Sequence, residues 1–390
     1  MTAASAAPHI NEAAPVPRYW LPGRPQDAGY AHGRAITELL APAFADRYIA
    51  RVARANRVDR AALDAQAARW MEHLPEPYRL EIDAMAAGAR VPADGVAQFL
   101  YADIAGPSSP YAARPDAGDP PGPMCSAIAH RIRDGLLVAR NCDWLPATLS
   151  RATAAVGHAR PGHLPVLAVG IRGDIDIDTG LNAAGLWLHL HTMHATDAPA
   201  LARPGGGPRP LISWLFWGRY ALETCETLDD VDRLLAKTRR DRGVMVVAAH
   251  GPSRTAAVFE CHHASHERRD LEPGDAPCLL ATNHPWHKHP DRARAMRSKT
   301  GATIARAERL KEASGGLNDA TTPEHLQHIL ADARVEMRAD PATPDRPLRT
   351  IYSSVCDIAS GELRFASGRE DPERPAASGG VFERVELPWG

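Results

Sequence analysis

Residues 106–124, GPSSPYAARPDAGDPPGPM, constrain the fold more than any other stretch. Pro, Gly, Ser and Asp at this density deny the chain a regular element, so the segment reads as a surface loop or linker. The chain changes character across it. From Tyr30 to about Leu100, in ITELLAPAFADRYIARVARANR and LDAQAARWMEHLPEPYRLEIDAMAAGA, apolar residues recur at intervals of three and four, which predicts an all-helical segment. From Cys125 onward short apolar or alternating runs (CSAIAHRI, GLLVARNCDW, LPVLAVGIRG, GLNAAGLWLHLHTM) are separated by Asp-Gly or Gly-Asp turn signals and predict hairpins. PLISWLFWGRYALETCETLDDVDRLLAKT and RARAMRSKTGATIARAERLKEAS return to helical spacing. GVMVVAAHG with RTAAVFECHH, and RTIYSSVCDIASGELRFAS, predict two further hairpins. Strand blocks alternate with helix blocks without a βαβ rhythm, which indicates an α+β fold with antiparallel sheets.

A chain of 390 residues, 44% hydrophobic and 24% charged, is long enough for one large or two smaller packed domains. Its net charge of -2, with both signs interleaved, offers no cationic face to nucleic acid or to an anionic membrane. The first residues lack a basic start followed by an apolar core, and no run approaches a membrane span, so a cytoplasmic address is the default expectation. Residues 1–28 read as a disordered arm. The six cysteines form no CxxC pair and are thinly spread, which favours reduced thiols over a disulfide framework.

Cys125 stands at the first position of the first strand, directly behind the linker. A cysteine in a strand is ordinarily a small apolar filler. Cleavage of the Met124-Cys125 bond, however, would give this one residue both a thiol and a free α-amine. An α-amine with a pKa of roughly 7.7–8 is a suitable base for a thiol near neutral pH. One residue would then supply nucleophile and base together.

The stretch CSAIAHRIRDGLLVARNCDW resembles the opening of cysteine N-terminal-nucleophile (Ntn) hydrolases, in particular the acyl-coenzyme A:6-aminopenicillanic acid acyltransferase family and more distantly the choloylglycine hydrolases. GLNAAGL (180–186), TNHP (282–285), TIARAERL (303–310) and the closing hairpin are similar to further segments of that family, in the same order. DAMAAGARVPADGVAQFLYADI resembles its helical propeptide. The resemblance implies a four-layer αββα sandwich and a self-processing enzyme: a helical pro-segment over 29–105, a linker over 106–124 ending at the cleavage site, and a catalytic domain over 125–390. It also implies that Cys125 is the nucleophile, that Arg140 lies near the thiol and that Asp143 accepts a hydrogen bond from the α-amine. Asn283 would donate to the oxyanion, and Arg306 would bind a substrate carboxylate or organise the site. His191, Thr303 and His284 would contribute to substrate binding. Three positions depart from the family pattern: Met124 replaces a frequent Gly, His191 stands where relatives often carry Asn, and Thr303 replaces Ser.

On this reading the chain needs no cofactor or metal. It takes an acyl donor, an amide or a thioester such as acyl-CoA, and passes the acyl group to a small-molecule amine or to water in specialised metabolism. Its own propeptide would remain as a partner chain. Strand alternation puts Leu137, Ala139, Asn141 and Asp143 on one face and Val138, Arg140 and Cys142 on the other, so Arg140 and Asp143 cannot both face Cys125 from a flat strand. Two alternatives belong to other classes. A zinc-dependent amidohydrolase would use the histidine clusters at 189/191/194, 262/263/266 and 284/287/289, although no carboxylate sits at matching spacing. A non-catalytic binding protein would keep the fold unprocessed. Asn182 reads as a turn former, Trp214, Phe216 and Trp217 as core, and the cysteines other than Cys125 as buried fillers.

Overall fold

The computed structural model describes residues 7–55, 58–105, 124–144, 152–193, 211–240, 243–273, 278–286, 301–338, 349–368 and 375–389. Two strands, β1 (His9–Asn11) and β2 (Arg18–Pro22), precede six helices: α1 (Pro25–Ala35), α2 (Thr37–Leu40), α3 (Pro42–Ala55), α4 (Arg60–His73), α5 (Glu76–Ala89) and α6 (Ala93–Ala105). The hairpin β3 (Met124–Ile132) and β4 (Gly135–Trp144) follows, then β5 (Thr153–Ala159), β6 (Val166–Ile171), β7 (Thr179–Asn182), β8 (Leu186–Thr192) and β9 (Leu211–Ile212). Next come α7 (Trp214–Thr224), α8 (Leu228–Lys237), β10 (Arg239–Arg240), β11 (Val244–His250), β12 (Thr255–Cys261), β13 (His266–Asp270) and β14 (Cys278–Ala281). The chain ends with α9 (Gly301–Ala313), α10 (Pro323–Leu330), β15 (Arg349–Asp357), β16 (Glu362–Ser367), α11 (Ala376–Gly379) and β17 (Glu383–Val385).

The strands build a nine-stranded sheet, β1-β2-β5-β6-β7-β8-β11-β12-β13, and a six-stranded sheet, β14-β3-β4-β15-β16-β17, with β9 and β10 as a small parallel pair. Alternation explains how they stack. In the six-stranded sheet Ile128, Leu137, Ala139 and Val355 pack outward on Leu310 of α9 and on Leu326 and Leu330 of α10. Their neighbours Ala127, Ala129, Leu136 and Val138 point inward and join the core shared with the nine-stranded sheet. That sheet is covered on its other face by α7 and α8, with α1 and α5 packed beside them. The result is the expected four-layer αββα sandwich. Among the described residues no helix is long and apolar enough to cross a membrane.

The expectation of a disordered arm over 1–28 is overturned for residues 9–28. β1 pairs with β2, and β2 runs parallel to β5 from Arg18 opposite Ala155 to Pro22 opposite Ala159. Tyr19 and Leu21 are buried in the main core. Small and Pro-rich residues concealed both strands, and the strand that holds β2 in the sheet, β5, lies far along the chain. Residues 106–123, where the linker was placed, lie outside the described residues. Asn182 holds the β7–β8 turn through its side chain: Oδ1 accepts from the backbone N–H groups of Ala184 and Leu186, and Nδ2 donates to the carbonyls of Leu222 and Cys225. The positive φ of that turn, 79°, falls on Gly185.

Candidate active site

Pairing of β3 with β4 places Cys125 directly opposite Cys142, and alternation puts both side chains with that of Arg140 on the inward face. Arg140 is held by a fan of acceptors. Its Nη1 donates to the Asp178 carbonyl at 2.7 Å and to Thr179 Oγ1, and its Nη2 to Asp178 Oδ2 at 2.6 Å and the Leu190 carbonyl at 3.0 Å. The same Nη2 lies 3.2 Å from Cys125 Sγ. Tyr352 presents its ring to the guanidinium at 5.6 Å, and its hydroxyl reaches Asp178 Oδ2 at 3.0 Å. Burial alone would raise the Cys125 pKa, but the Cys142 hydrogen bond and the Arg140 charge outweigh it and hold the thiol below its ordinary value. Cys142 goes the other way: burial and its bond to Cys125 push it well up.

The backbone of Cys125 is gripped from the opposite face. Its N–H donates to Asn283 Oδ1 at 2.7 Å, and its carbonyl accepts from Arg306 Nη1 at 2.7 Å. Arg306 also donates to Ser126 Oγ at 2.9 Å and, through Nη2, to Asn283 Oδ1 at 3.0 Å, while lying 3.4 Å from Asp143 Oδ2. Asp143 accepts from Thr350 Oγ1 at 2.6 Å. Burial pushes the Asp143 carboxyl up to about 6, against the pull of Arg306 and of the Thr350 bond. Thr303 Oγ1 accepts from the Asn283 N–H at 2.9 Å and lies 3.2 Å from His284 Nδ1.

In the uncut chain the Cys125 peptide N–H faces Asn283, and β4 alternation carries Asp143 to the outward face beside Arg306. Two donors converge on Asn283 Oδ1, which fixes the amide orientation. Its Nδ2 donates to the Thr192 carbonyl at 2.9 Å, while its Oδ1 faces the Cys125 backbone as an acceptor. Arg306, 4% exposed, ties Cys125, Ser126, Asn283 and Asp143 together and so fits the organising option rather than the substrate carboxylate one. His191 Nδ1 donates to the Thr282 carbonyl at 2.9 Å, its ring stacks on His189 at 5.2 Å, and burial drives its pKa well below 6.5.

Beside the thiol lies a pocket. Among the described residues its walls include Cys125, Arg140 and Cys142, with Val169, Leu190, Leu215 and Ile351 as apolar surface. Trp144, Trp214 and Tyr352 add aromatic area, and Asp174, Asp176 and Asp178 line it too. His191, His284, Thr303 and Arg306 are not among those walls. Trp214, Phe216 and Trp217 are all buried in the core, and Trp214 also lines the cavity. Cys142, read as a filler, lies against the thiol. Asp178 and Tyr352 were missed altogether. The run Asp174, Asp176, Asp178 in GDIDIDTG reads as turn punctuation, and its alternate spacing was the available signal.

The described histidines of the clusters are engaged with the protein itself. His263 Nδ1 lies 2.8 Å from the Arg240 carbonyl and His266 Nε2 lies 2.7 Å from Asp232, while His194, His287 and His289 fall outside the described residues. Among the described residues no group of three or more His, Cys, Asp or Glu is placed to hold a metal ion.

Two face-to-face sheets between helix layers, with this cysteine on the first strand of the hairpin, define the Ntn class of acyl-transferring and amide-cleaving enzymes. The profile of the family described as acyl-coenzyme A:6-aminopenicillanic acid acyl-transferase matches residues 131–372, and the chain belongs to that family. The matched span takes in Arg140, Asp143, His191, Asn283, His284, Thr303 and Arg306 and begins after Cys125. Among solved structures the chain is similar to penicillin V acylase from Agrobacterium tumefaciens, with 15% identity over 62% of this chain and 83% of that one and a TM-score of 0.45. It is also similar to a variant of the conjugated bile acid hydrolase from Clostridium perfringens, at 11%, 67%, 97% and 0.47 in the same order. For the Caenorhabditis elegans ortholog of N-acylethanolamine-hydrolyzing acid amidase the figures are 15%, 60%, 93% and 0.41. No curated protein matches the sequence.

Proposed function

We propose that the chain is a self-processing cysteine acyltransferase or amidohydrolase, cut between Met124 and Cys125, that forms an acyl-enzyme on Cys125. The observation that carries this reading is the separate handling of the two reactive atoms of one residue: Sγ lies 3.2 Å from Arg140 and N lies 2.7 Å from Asn283 Oδ1. In processing, the thiolate attacks the carbonyl carbon of residue 124 and the peptide bond to Cys125 nitrogen breaks. Water then releases the 1–124 chain from the thioester. The new α-amine keeps the Asn283 acceptor and, with a pKa of roughly 7.7–8, takes the thiol proton.

In turnover the Cys125 thiolate attacks an amide or acyl thioester carbonyl, and the α-amine returns its proton to the leaving group. An amine acceptor or water then removes the acyl group. Arg140 stabilises the anionic sulfur, and Arg306 with Asp143 and Thr350 fixes the backbone from which it projects. The apolar walls suit the acyl part of the donor. The 1–124 chain stays bound as a partner, and the reaction serves specialised metabolism.

Denaturing mass spectrometry tests this directly. Purified wild-type protein should give two fragments that part before Cys125, and Cys125→Ala should stay whole. A brief reaction with an acyl donor should add the acyl mass to the 125–390 fragment alone. An intact wild-type chain, with activity kept in Cys125→Ala and lost to a chelator, would transfer the reading to a zinc amidohydrolase.

A further inference from the structure

No bond is made or broken at Cys142 in the mechanism above, yet this thiol stands directly across the hairpin from the nucleophilic sulfur. The two residues are direct cross-strand partners on the same face of the hairpin. Opposed residues of an antiparallel pair have Cα atoms about 4.5–5.5 Å apart, within the roughly 4.4–6.8 Å span of a disulfide. Both cysteines line the cavity, so a small oxidant that reaches one sulfur reaches the other. Their environments differ. Arg140 Nη2 stands by Cys125, whereas Cys142 Sγ lies 3.5 Å from the Asp178 carboxylate, which disfavours a second anion there. One sulfur is thus prepared as thiolate and its neighbour as thiol, as the opposite displacements of their pKa values also indicate.

We propose that Cys125 and Cys142 form a reversible disulfide on exposure to a hydroperoxide, with Cys125 as the peroxide-reactive sulfur and Cys142 as the resolving thiol. In the first step the Cys125 thiolate attacks the distal peroxide oxygen. An S–O bond forms, the O–O bond breaks, and the peroxide is reduced by two electrons: the departing alkoxide or hydroxide takes a proton from solvent water and leaves as an alcohol or water, while the sulfur becomes a sulfenic acid. In the second step the Cys142 sulfur attacks the Cys125 sulfur. The S–S bond forms, the S–O bond breaks, and the departing hydroxide takes the Cys142 proton and leaves as water. A dithiol reverses the change by exchange. Both cysteines lie on the 125–390 side of the proposed cleavage point, so the bond stays within one chain whether or not the chain is cut. Cys142 thereby protects the nucleophile, because a sulfenic acid with no thiol beside it is carried by more peroxide to the irreversible sulfinic acid.

The test needs no substrate and is independent of the acyl-transfer reading. Full-length protein is treated with hydrogen peroxide, alkylated, digested and mapped by mass spectrometry, with and without subsequent dithiothreitol. The wild type should yield a peptide pair joined through Cys125 and Cys142, lighter by two hydrogens, that dithiothreitol separates. Cys142→Ser should yield no such pair, accumulate sulfinic acid at Cys125, and recover about 10-fold less free Cys125 thiol. Cys142→Ala serves should the serine variant misfold, and the wild-type map decides by itself should both do so. Three outcomes overturn the proposal: Cys125 left unoxidised, Cys125 joined to a different cysteine, or equal sulfinic acid in wild type and variant.

Discussion

Arg140 has a buried guanidinium, its side chain 1% exposed, shared between a thiol and the acidic Asp178. Its planar fork matters as much as its charge, since one nitrogen serves Sγ, a carboxylate and a carbonyl together. Arg140→Gln removes the cation and leaves Asp178 facing the sulfur unopposed, and both changes raise the thiol pKa. The pH midpoint for alkylation of Cys125 by iodoacetamide should therefore rise by about 1 unit or more, with circular dichroism checking the fold. An unchanged midpoint would show that Arg140 does not set thiolate formation. The alternation argument separated Arg140 and Cys142 from Asp143 on sequence alone, because a strand of period two leaves no freedom in facing. It could not show that Asn283 offers oxygen rather than nitrogen, since that depends on Arg306 arriving from a helix far along the chain.

At the scale of elements, α1 and α5 cross with their backbones in contact. A Cβ added to Gly33 would lie 1.9 Å from the Met85 carbonyl oxygen, and one added to Gly88 would lie 2.2 Å from that of Tyr30. Gly33→Ala must push the helices apart and should cost about 1–3 kcal/mol in urea unfolding. Gly95→Ala, in α6 where an added Cβ meets nothing within 4 Å, should instead gain roughly 0.5–1 kcal/mol. Equal effects at the two positions would sink the packing argument. Elements with local patterning were legible: the β3–β4 hairpin from its Asp-Gly turn, and α4 and α5 from their apolar spacing. β5 was not. All seven residues of TAAVGHA are buried, so no polar face marks the strand, and its partner β2 lies beyond the whole helical segment.

Across the molecule, the N-terminal helices are joined to the catalytic layers through buried charge. Arg219 of α7 is 2.9 Å from Glu81 of α5 and 2.9 Å from Glu223, which also pairs with Arg160 at 2.8 Å and accepts from Tyr78 at 3.0 Å. His158 lies 3.6 Å from Glu81, and His32 Nε2 donates to the Arg172 carbonyl at 2.6 Å. Burial first, then the nearby Arg219 and Arg172 charges, lower the His32 pKa from 6.5 to about 4. The unfolded chain therefore takes up a proton that the folded chain refuses, and stability falls as pH drops from 6.5 through 4, by roughly 3 kcal/mol for this group. Glu81 and Asp143, whose pKa values are raised, act in the opposite direction in wild type and variant alike. Urea unfolding at pH 7 and pH 4.5 should show His32→Gln losing about 2 kcal/mol less than wild type over that interval. Equal losses would place the acid sensitivity elsewhere.

The parallel pairing of β2 with β5 also bears on timing. Residues 18–22 can find residues 153–159 only after the intervening helices and the β3–β4 hairpin have been made, and such non-local parallel contacts form late. While the chain is whole, that search is a loop closure whose entropy grows slowly with length. A cut before Cys125 made too early would turn it into a meeting of two separate molecules at whatever concentration the solution allows. Folding first and cutting second is thus the order the topology favours for the proposed cleavage, and a thiol whose Arg140 is anchored on Asp178 and Leu190 only when the two sheets meet would keep it.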